Sequence, residues 1–308
     1  MTKTARRSLL PMTLALIFFA FAHTPAAAQS APPVEDALFE KLRVSLASVD
    51  AHLDGVMGLA VKDLKTGRII EMRGDVVFPQ ASSIKLALIY ELYQKANAGR
   101  VDLGSLRALP KDRVGGSGVL PFLSEGAQLT VRDLAVLMMS LSDNAATNIL
   151  IDEVTFTAVN SRMDSLGLMK TRFRRHMIDL PAARRGEENV STPKEMLRLI
   201  EAIQKAAGLS AALAEDLHAV VSVPKQNAFR SALPESLLIY DKSGELEGVR
   251  TSTGLVVLKN RPYAVAIMTA ALLKESDGDN AIREISRLVY ETFDRLDRAS
   301  PEGRLLGQ

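Results

Sequence analysis

Residues 253–269 read TGLVVLKNRPYAVAIMT, two apolar runs parted by the polar stretch Lys259-Asn260-Arg261-Pro262. Short runs rich in Val, Ile and Tyr, bounded by a proline-containing turn, predict two consecutive strands. A third such run lies upstream at 237–240. Further toward the N-terminus the pattern changes. Residues 82–98, 130–141, 145–154, 156–166, 193–206 and 210–221 carry apolar positions at helical spacing. Thr130 ahead of Val131-Arg132-Asp133 suits a capped helix start, and Pro193 after Thr192 suits a first turn. Before this block, 34–52 reads as a helix, and 56–63 and 68–73 flank Leu64-Lys65-Thr66-Gly67, whose glycine suits a hairpin turn. A last amphipathic helix is expected over 280–296.

Strand-rich ends therefore bracket a helical middle. The economical arrangement is an α/β fold of the α+β sandwich type: an antiparallel sheet with flanking terminal helices, plus an all-helical lobe. We expect a single catalytic domain over 29–308, with the sheet-bearing lobe at about 34–78 and 223–308 and the helical lobe at about 79–222. A cleft between two such lobes is a favoured ligand site.

Bulk composition narrows the function. The 308 residues are 47% hydrophobic and 24% charged, which is globular composition. A net charge of +2, from 38 basic and 36 acidic residues, argues against a nucleic-acid partner. Cysteine is absent, so disulfides and thiolate metal sites are excluded, and His23, His52, His176 and His218 have no helical ligand spacing. Neither a metal nor a cofactor is expected. Lys3, Arg6 and Arg7 precede an apolar run at 14–22, and Ala26-Ala27-Ala28 ends it. This is a signal-peptide pattern over residues 1–28, with cleavage before Gln29. The run is shorter than the ~20 residues a membrane span needs. The mature chain is expected to be periplasmic or secreted, off the membrane, and monomeric.

Three short motifs follow one another: Ser82-Ser83-Ile84-Lys85, Ser142-Asp143-Asn144 and Lys242-Ser243-Gly244. Each alone is weak, and Lys65-Thr66-Gly67 imitates the third inside the hairpin turn. Order and context make them specific. A serine hydroxyl needs a neighbour to take its proton. Ser82 and Lys85, three apart at a helix start, share a face. The helix N-terminus offers N–H groups and positive potential for an oxyanion. A lysine base must be neutral, which burial and cationic neighbours favour. Ser142, between two helices, can relay protons, and Asn144 can hold a substrate amide. Lys242 projects from a strand end to form a cationic rim for a carboxylate, and Gly244 allows close approach to the backbone. The combination suits acyl transfer.

Phe78-Pro79-Gln80-Ala81-Ser82-Ser83-Ile84-Lys85-Leu86, Leu129-Thr130-Val131-Arg132-Asp133-Leu134-Ala135, Ser142-Asp143-Asn144-Ala145-Ala146-Thr147-Asn148, Arg230-Ser231-Ala232-Leu233-Pro234 and Asp241-Lys242-Ser243-Gly244 resemble class A serine β-lactamases and their penicillin-binding relatives across essentially the whole mature chain. The resemblance implies that Ser82 is acylated and that Lys85 is its base or relay. It also implies that Ser142 shuttles protons, Asn144 contacts a substrate amide, and Lys242 and Ser243 bind a carboxylate. The N–H groups of Ser82 and Glu245 would form the oxyanion hole. Arg250 is a further carboxylate candidate or else a sheet-edge charge. Ser117, in Gly115-Gly116-Ser117-Gly118, occupies the segment where relatives gate the cleft, or a plain loop.

The resemblance breaks in one loop. Counted from Thr171-Arg172, the glutamate that positions the deacylating water in the family falls on Met177, and its asparagine partner falls on Pro181. Counted back from Ser191-Thr192-Pro193, the glutamate's place falls on His176. Asp179 is the nearest carboxylate, either a substitute base or a loop stabiliser paired with Arg174, Arg175, Arg184 or Arg185. Met177 suits packing under the loop, and His176 suits a surface or packing role. Three functions remain open: a β-lactamase-like serine hydrolase, a D,D-carboxypeptidase-like penicillin-binding protein or esterase with slow deacylation, and a non-catalytic β-lactam or muropeptide binder.

Overall fold

The computed structural model describes residues 1–2 and 33–306, so all but Met1 and Thr2 of the expected signal peptide lies outside the described residues. The chain from residue 33 opens with helix α1 (Pro33–His52) and the hairpin β1 (Val56–Asp63) and β2 (Ile69–Met72). Asp63 holds the turn: its carboxylate accepts the Lys65 N–H at 2.8 Å and the Thr66 hydroxyl at 2.7 Å. The imitation motif there is turn chemistry. Next come β3 (Phe78–Pro79), helix α2 (Lys85–Asn97), β4 (Leu106–Ala108), β5 (Gln128–Thr130), α3 (Val131–Ser140), α4 (Asn144–Val154), α5 (Phe156–Ser165), α6 (Leu180–Arg184), β6 (Val190–Ser191), α7 (Pro193–Lys205) and α8 (Ala211–Ser222). The chain then returns to the sheet through β7 (Leu238–Leu246), β8 (Val249–Val257) and β9 (Tyr263–Ala270), and ends in α9 (Glu275–Arg298).

The five-stranded sheet has the order β2-β1-β9-β8-β7, antiparallel throughout. Chain ends meet where β1 pairs with β9, from Val56 opposite Ala270 to Asp63 opposite Tyr263. Strand alternation sends Met57, Leu59, Val61, Val265 and Ile267 to one face, against Phe39, Leu42 and Leu46 of α1 and Ile285, Val289 and Phe293 of α9. Ala60, Ala264, Ala266, Met268 and Leu255 face the other way, into the core of the helical lobe. Both faces are covered, which is why β9 reads as a nearly unbroken apolar run rather than an alternating one and why β8 is buried along nearly its whole length.

Two elements differ from the sequence expectation in ways that matter. Lys242 was expected at a strand end, but β7 continues to Leu246 and forms the edge of the sheet beside the helical lobe. The helix expected from residue 82 starts as a 3₁₀ turn, Ala81–Ile84, and becomes α-helical only at Lys85. Ala81 has φ +46°, a left-handed conformation that a non-glycine residue adopts at a cost of about 1–3 kcal/mol. Short α6 was not expected, because its five residues are too few to show a period.

Phe293 joins α9 to the rest of this layer, with its ring 5.8 Å from Phe39 and 4.6 Å from Tyr263. Truncation of a buried phenylalanine costs about 3–5 kcal/mol. Phe293→Ala is expected to lower the urea unfolding free energy by that amount, and a loss under about 1 kcal/mol would show that α9 is not anchored through this ring.

Candidate active site

A cleft of about 690 Å³ opens between β7 and the helical lobe, and Ser82, Ser142, Asn144, Lys242, Ser243, Gly244 and Glu245 all line it. Ser82 reaches it from the 3₁₀ turn, which is bolted to the sheet from behind. Ser83 Oγ donates to Lys242 O at 3.0 Å and lies 2.8 Å from Thr251 Oγ1, which donates to Gln80 O at 3.0 Å. Gly244 allows this contact: a Cβ there would lie 2.5 Å from Gln80 O and 2.8 Å from the Ser82 backbone nitrogen. The edge of β7 and the N–H of Ser82 therefore sit against one another, and only glycine fits between them.

Two buried lysines converge on one hydroxyl. Lys85 Nζ donates to Ser142 O at 2.7 Å, Ser142 Oγ at 3.0 Å and Asn144 Oδ1 at 3.1 Å. Lys242 Nζ donates to the same Ser142 Oγ at 3.1 Å and to Ser243 O at 2.8 Å. Burial, then the charge of Lys242, holds the Lys85 amine well below the usual lysine range, and Asp143 opposes this. Burial and the charge of Lys225 bring Lys242 down to about 7, against the pull of Asp241 and Glu245. Two ammonium groups with a shared acceptor in a dry site favour release of a proton. An amine disposed to shed its proton thus lies against a serine hydroxyl, in the cleft that Ser82 lines, an arrangement suited to proton transfer.

The turn that presents Ser142 is strained and locked. Ser142 has φ +55°. Buried Asp143 caps α4 by accepting the Ala146 N–H at 2.9 Å, and its other oxygen accepts the N–H groups of Val119 and Leu120 at 2.7 and 2.9 Å. Gly118 makes room for that carboxylate: its φ is +94°, and a Cβ would lie 2.1 Å from Asp143 Oδ2. Ser117 Oγ donates to Ser142 O at 2.7 Å, so this segment is tied to the Ser142 turn and lines the cleft. One Asn144 amide hydrogen goes to Gly115 O at 2.9 Å.

The remaining candidates separate. Met177 is buried and lines the cleft, its backbone clamped by Asn148, which accepts the Met177 N–H at 2.8 Å and donates to its carbonyl at 3.2 Å. His176 turns away from the cleft: Nε2 lies 3.0 Å from Asp152 Oδ1 and the ring packs edge-on against Phe156. Asp179 stabilises its loop, but as the cap of α6, accepting the Ala182 N–H at 3.0 Å, while Arg175 pairs with Glu188 and Arg185 with Glu187. Arg250 is not a cleft residue. Strand alternation places Thr251 toward the 3₁₀ turn and Arg250 on the opposite face, paired with Glu275 and Asp279 at the start of α9.

Several residues of the site went unread in the sequence. Asp143 carries the ordinary signal of a helix cap, a short acid before an apolar period. Ser83, Thr251, Lys225 and Glu188 carry no local signal, because their partners lie far away in the chain.

A buried lysine with lowered proton affinity destabilises the fold where it must be charged. The unfolded chain, with lysines near 10.4, binds more protons than the native state above the folded value, so stability rises with pH from about 7 upward. Urea unfolding of the wild type should show a positive slope between pH 7 and 9, at most about 1.4 kcal/mol per pH unit for each such lysine. Lys242→Met should raise stability at pH 7 and flatten the slope, and an unchanged slope would show that Lys242 is not the group responsible.

Residues 40–293 match the family model described as the β-lactamase enzyme family. β-Lactamase ROB-1 of Haemophilus influenzae is 28% identical over 277 residues, covering 86% of this chain and 88% of that protein. The crystal structure of a β-lactamase from Sphaerobacter thermophilus superposes with a TM-score of 0.75 at 29% identity, over 83% of this chain and 98% of the other. A substituted form of the penicillin-binding protein PBP-A, solved as an acyl-enzyme with penicillin G, gives a TM-score of 0.75 at 25% identity, over 83% and 97%. With the fold, the cleft and the family match in agreement, the chain belongs to the β-lactamase enzyme family, among the class A serine enzymes and their penicillin-binding relatives.

Proposed function

We propose that the protein is a class A-type serine hydrolase that opens β-lactam amides through an acyl-enzyme on Ser82. One observation carries the reading: Ser142 Oγ is hydrogen-bonded to both Lys85 and Lys242, at 3.0 and 3.1 Å, in the cleft that Ser82 lines. Neutral Lys85 takes the Ser82 hydroxyl proton, directly or through Ser142, as Oγ bonds to the lactam carbonyl carbon. The N–H groups of Ser82 and Glu245 receive the oxyanion. Ser142 then delivers a proton to the lactam nitrogen as the C–N bond breaks, and is reprotonated by the lysines. Lys242 and Ser243 hold the substrate carboxylate, and the free N–H of Asn144 meets the side-chain amide.

Deacylation distinguishes the second reading, a penicillin-binding protein or D,D-carboxypeptidase in which the adduct persists. Apolar Met177 favours it, because the side chain that borders the cleft at the expected glutamate's place cannot take a proton from water. The mature chain from Gln29 is proposed to work as a periplasmic or secreted monomer. Among the described residues no helix is long and apolar enough to cross a membrane. Mass spectrometry of the exported protein should give a chain that begins at Gln29, whereas an intact N-terminus would refute processing there.

Purified protein with a chromogenic cephalosporin and a fluorescent penicillin should label at Ser82 and turn over. Ser82→Ala should abolish both, and Lys85→Met should slow labelling by about 10²–10⁴-fold. Met177→Glu should shorten the life of the penicillin adduct by at least about tenfold, and no change would show that water reaches the acyl group from elsewhere. Folded wild type with neither label nor turnover leaves only the binder.

A further inference from the structure

Lys225 stands in the loop between α8 and β7, outside every motif of the family, yet it lines the cleft beside Lys242. Its side chain is 5% exposed, and its Nζ donates to Val221 O and Asp241 O, both at 2.9 Å. The nearby carboxylate is already committed. Asp241 accepts Arg230 Nε at 2.8 Å and Asn227 Nδ2 at 2.8 Å, while Lys225 Nζ lies 3.5 Å from it. Two cationic side chains, Lys225 and Arg230, thus share one buried carboxylate, while Lys242, the next residue of the strand, turns to the other face toward Ser142, with Glu245 exposed on the rim. Elsewhere the charges balance: Arg175 in the cleft is paired with Glu188, and Arg250 behind the sheet with Glu275 and Asp279.

We propose that Lys225 is a specificity-determining residue, supplying the excess positive charge that draws a substrate's free carboxylate onto Lys242 and Ser243, a charge that Arg250 does not provide. The inference rests on the acyl-enzyme reading above. Lys225 acts through Lys242 and is a positioning residue in that reaction. Its hydrogen bonds tie the end of α8 to β7; burial lowers its proton affinity and Arg230 adds to that, while the Asp241 carboxylate 3.5 Å away favours its charged form. The crowding of charge agrees with the lowered proton affinity of Lys242: burial lowers it most, the Lys225 charge adds to that, Asp241 and Glu245 oppose, and Lys242 in turn acts on Lys85 beside Asp143. A bound carboxylate favours the protonated form of Lys242.

The test compares one chromogenic cephalosporin as the free acid and as its methyl ester, on the full mature chain. At pH 6, Lys225→Met should raise KM for the acid about tenfold and leave KM for the ester within about twofold, and Lys225→Arg should restore the acid. The alkaline limb of kcat/KM for the acid should move to higher pH in Lys225→Met, since Lys242 then keeps its proton longer. Equal losses on acid and ester, or none on either, overturn the proposal. If Lys225→Met does not fold, Lys225→Gln retains a donor for the two carbonyls and removes the charge. Equal KM values for acid and ester in the wild type overturn the proposal without any variant. Wild type that neither labels nor turns over defeats the acyl-enzyme reading first, and this inference with it; active wild type with an unselective Lys225 effect defeats this inference alone.

Discussion

Ser142 Oγ accepts hydrogen bonds from two buried amines, Lys85 at 3.0 Å and Lys242 at 3.1 Å, and the rest of the site exists to hold that junction. An ammonium group removed from water is costly, and two that share an acceptor repel as well. Loss of a proton relieves the cost, so burial itself turns an ordinary lysine into a base. The proposed proton acceptor at this serine thus comes from packing.

Holding the junction requires rigid backbone from three separate parts of the chain. The 3₁₀ turn with Ser82 is pinned to β7 and β8 by Ser83 and Thr251, across the contact that Gly244 permits. The Ser142 turn, with its positive φ, is pinned by Asp143 to the segment around Gly118. Lys242 is presented by an edge strand whose inner neighbours are clamped between α1, α9 and the helical lobe. Strain at Ala81 and Ser142 is tolerated because buried hydrogen bonds on both sides over-determine those turns.

Acylation and release of the acyl group are separate demands. In the proposed mechanism Ser82, Lys85 and Ser142 serve the first. The loop that borders the second offers Met177, whose backbone Asn148 clamps much as a positioned catalytic residue would be clamped, but whose side chain has no proton to exchange. Glu188 is the loop's carboxylate in the cleft, and it is held by Arg175.

The linear order of residues determined what is local. Apolar periods marked α1, the hairpin, most of the helical lobe and the closing strands, because periodicity survives without knowledge of partners. Ser82 and Lys85 were legible as a pair because three residues of helix put them on one face, and the three motifs were legible from their order. Tertiary structure alone decided the rest. Arg250 and Thr251 are adjacent in sequence, and only the register of β8 says that the threonine faces the site and the arginine faces α9. Asp179 looked like an arginine partner or a base until the backbone of α6 claimed its carboxylate. Lys225 became visible only when folding brought it against Asp241 and Lys242. The physical reason is common to all three: burial, charge crowding and strand facing are set by neighbours distant in sequence, and a residue's type does not carry them.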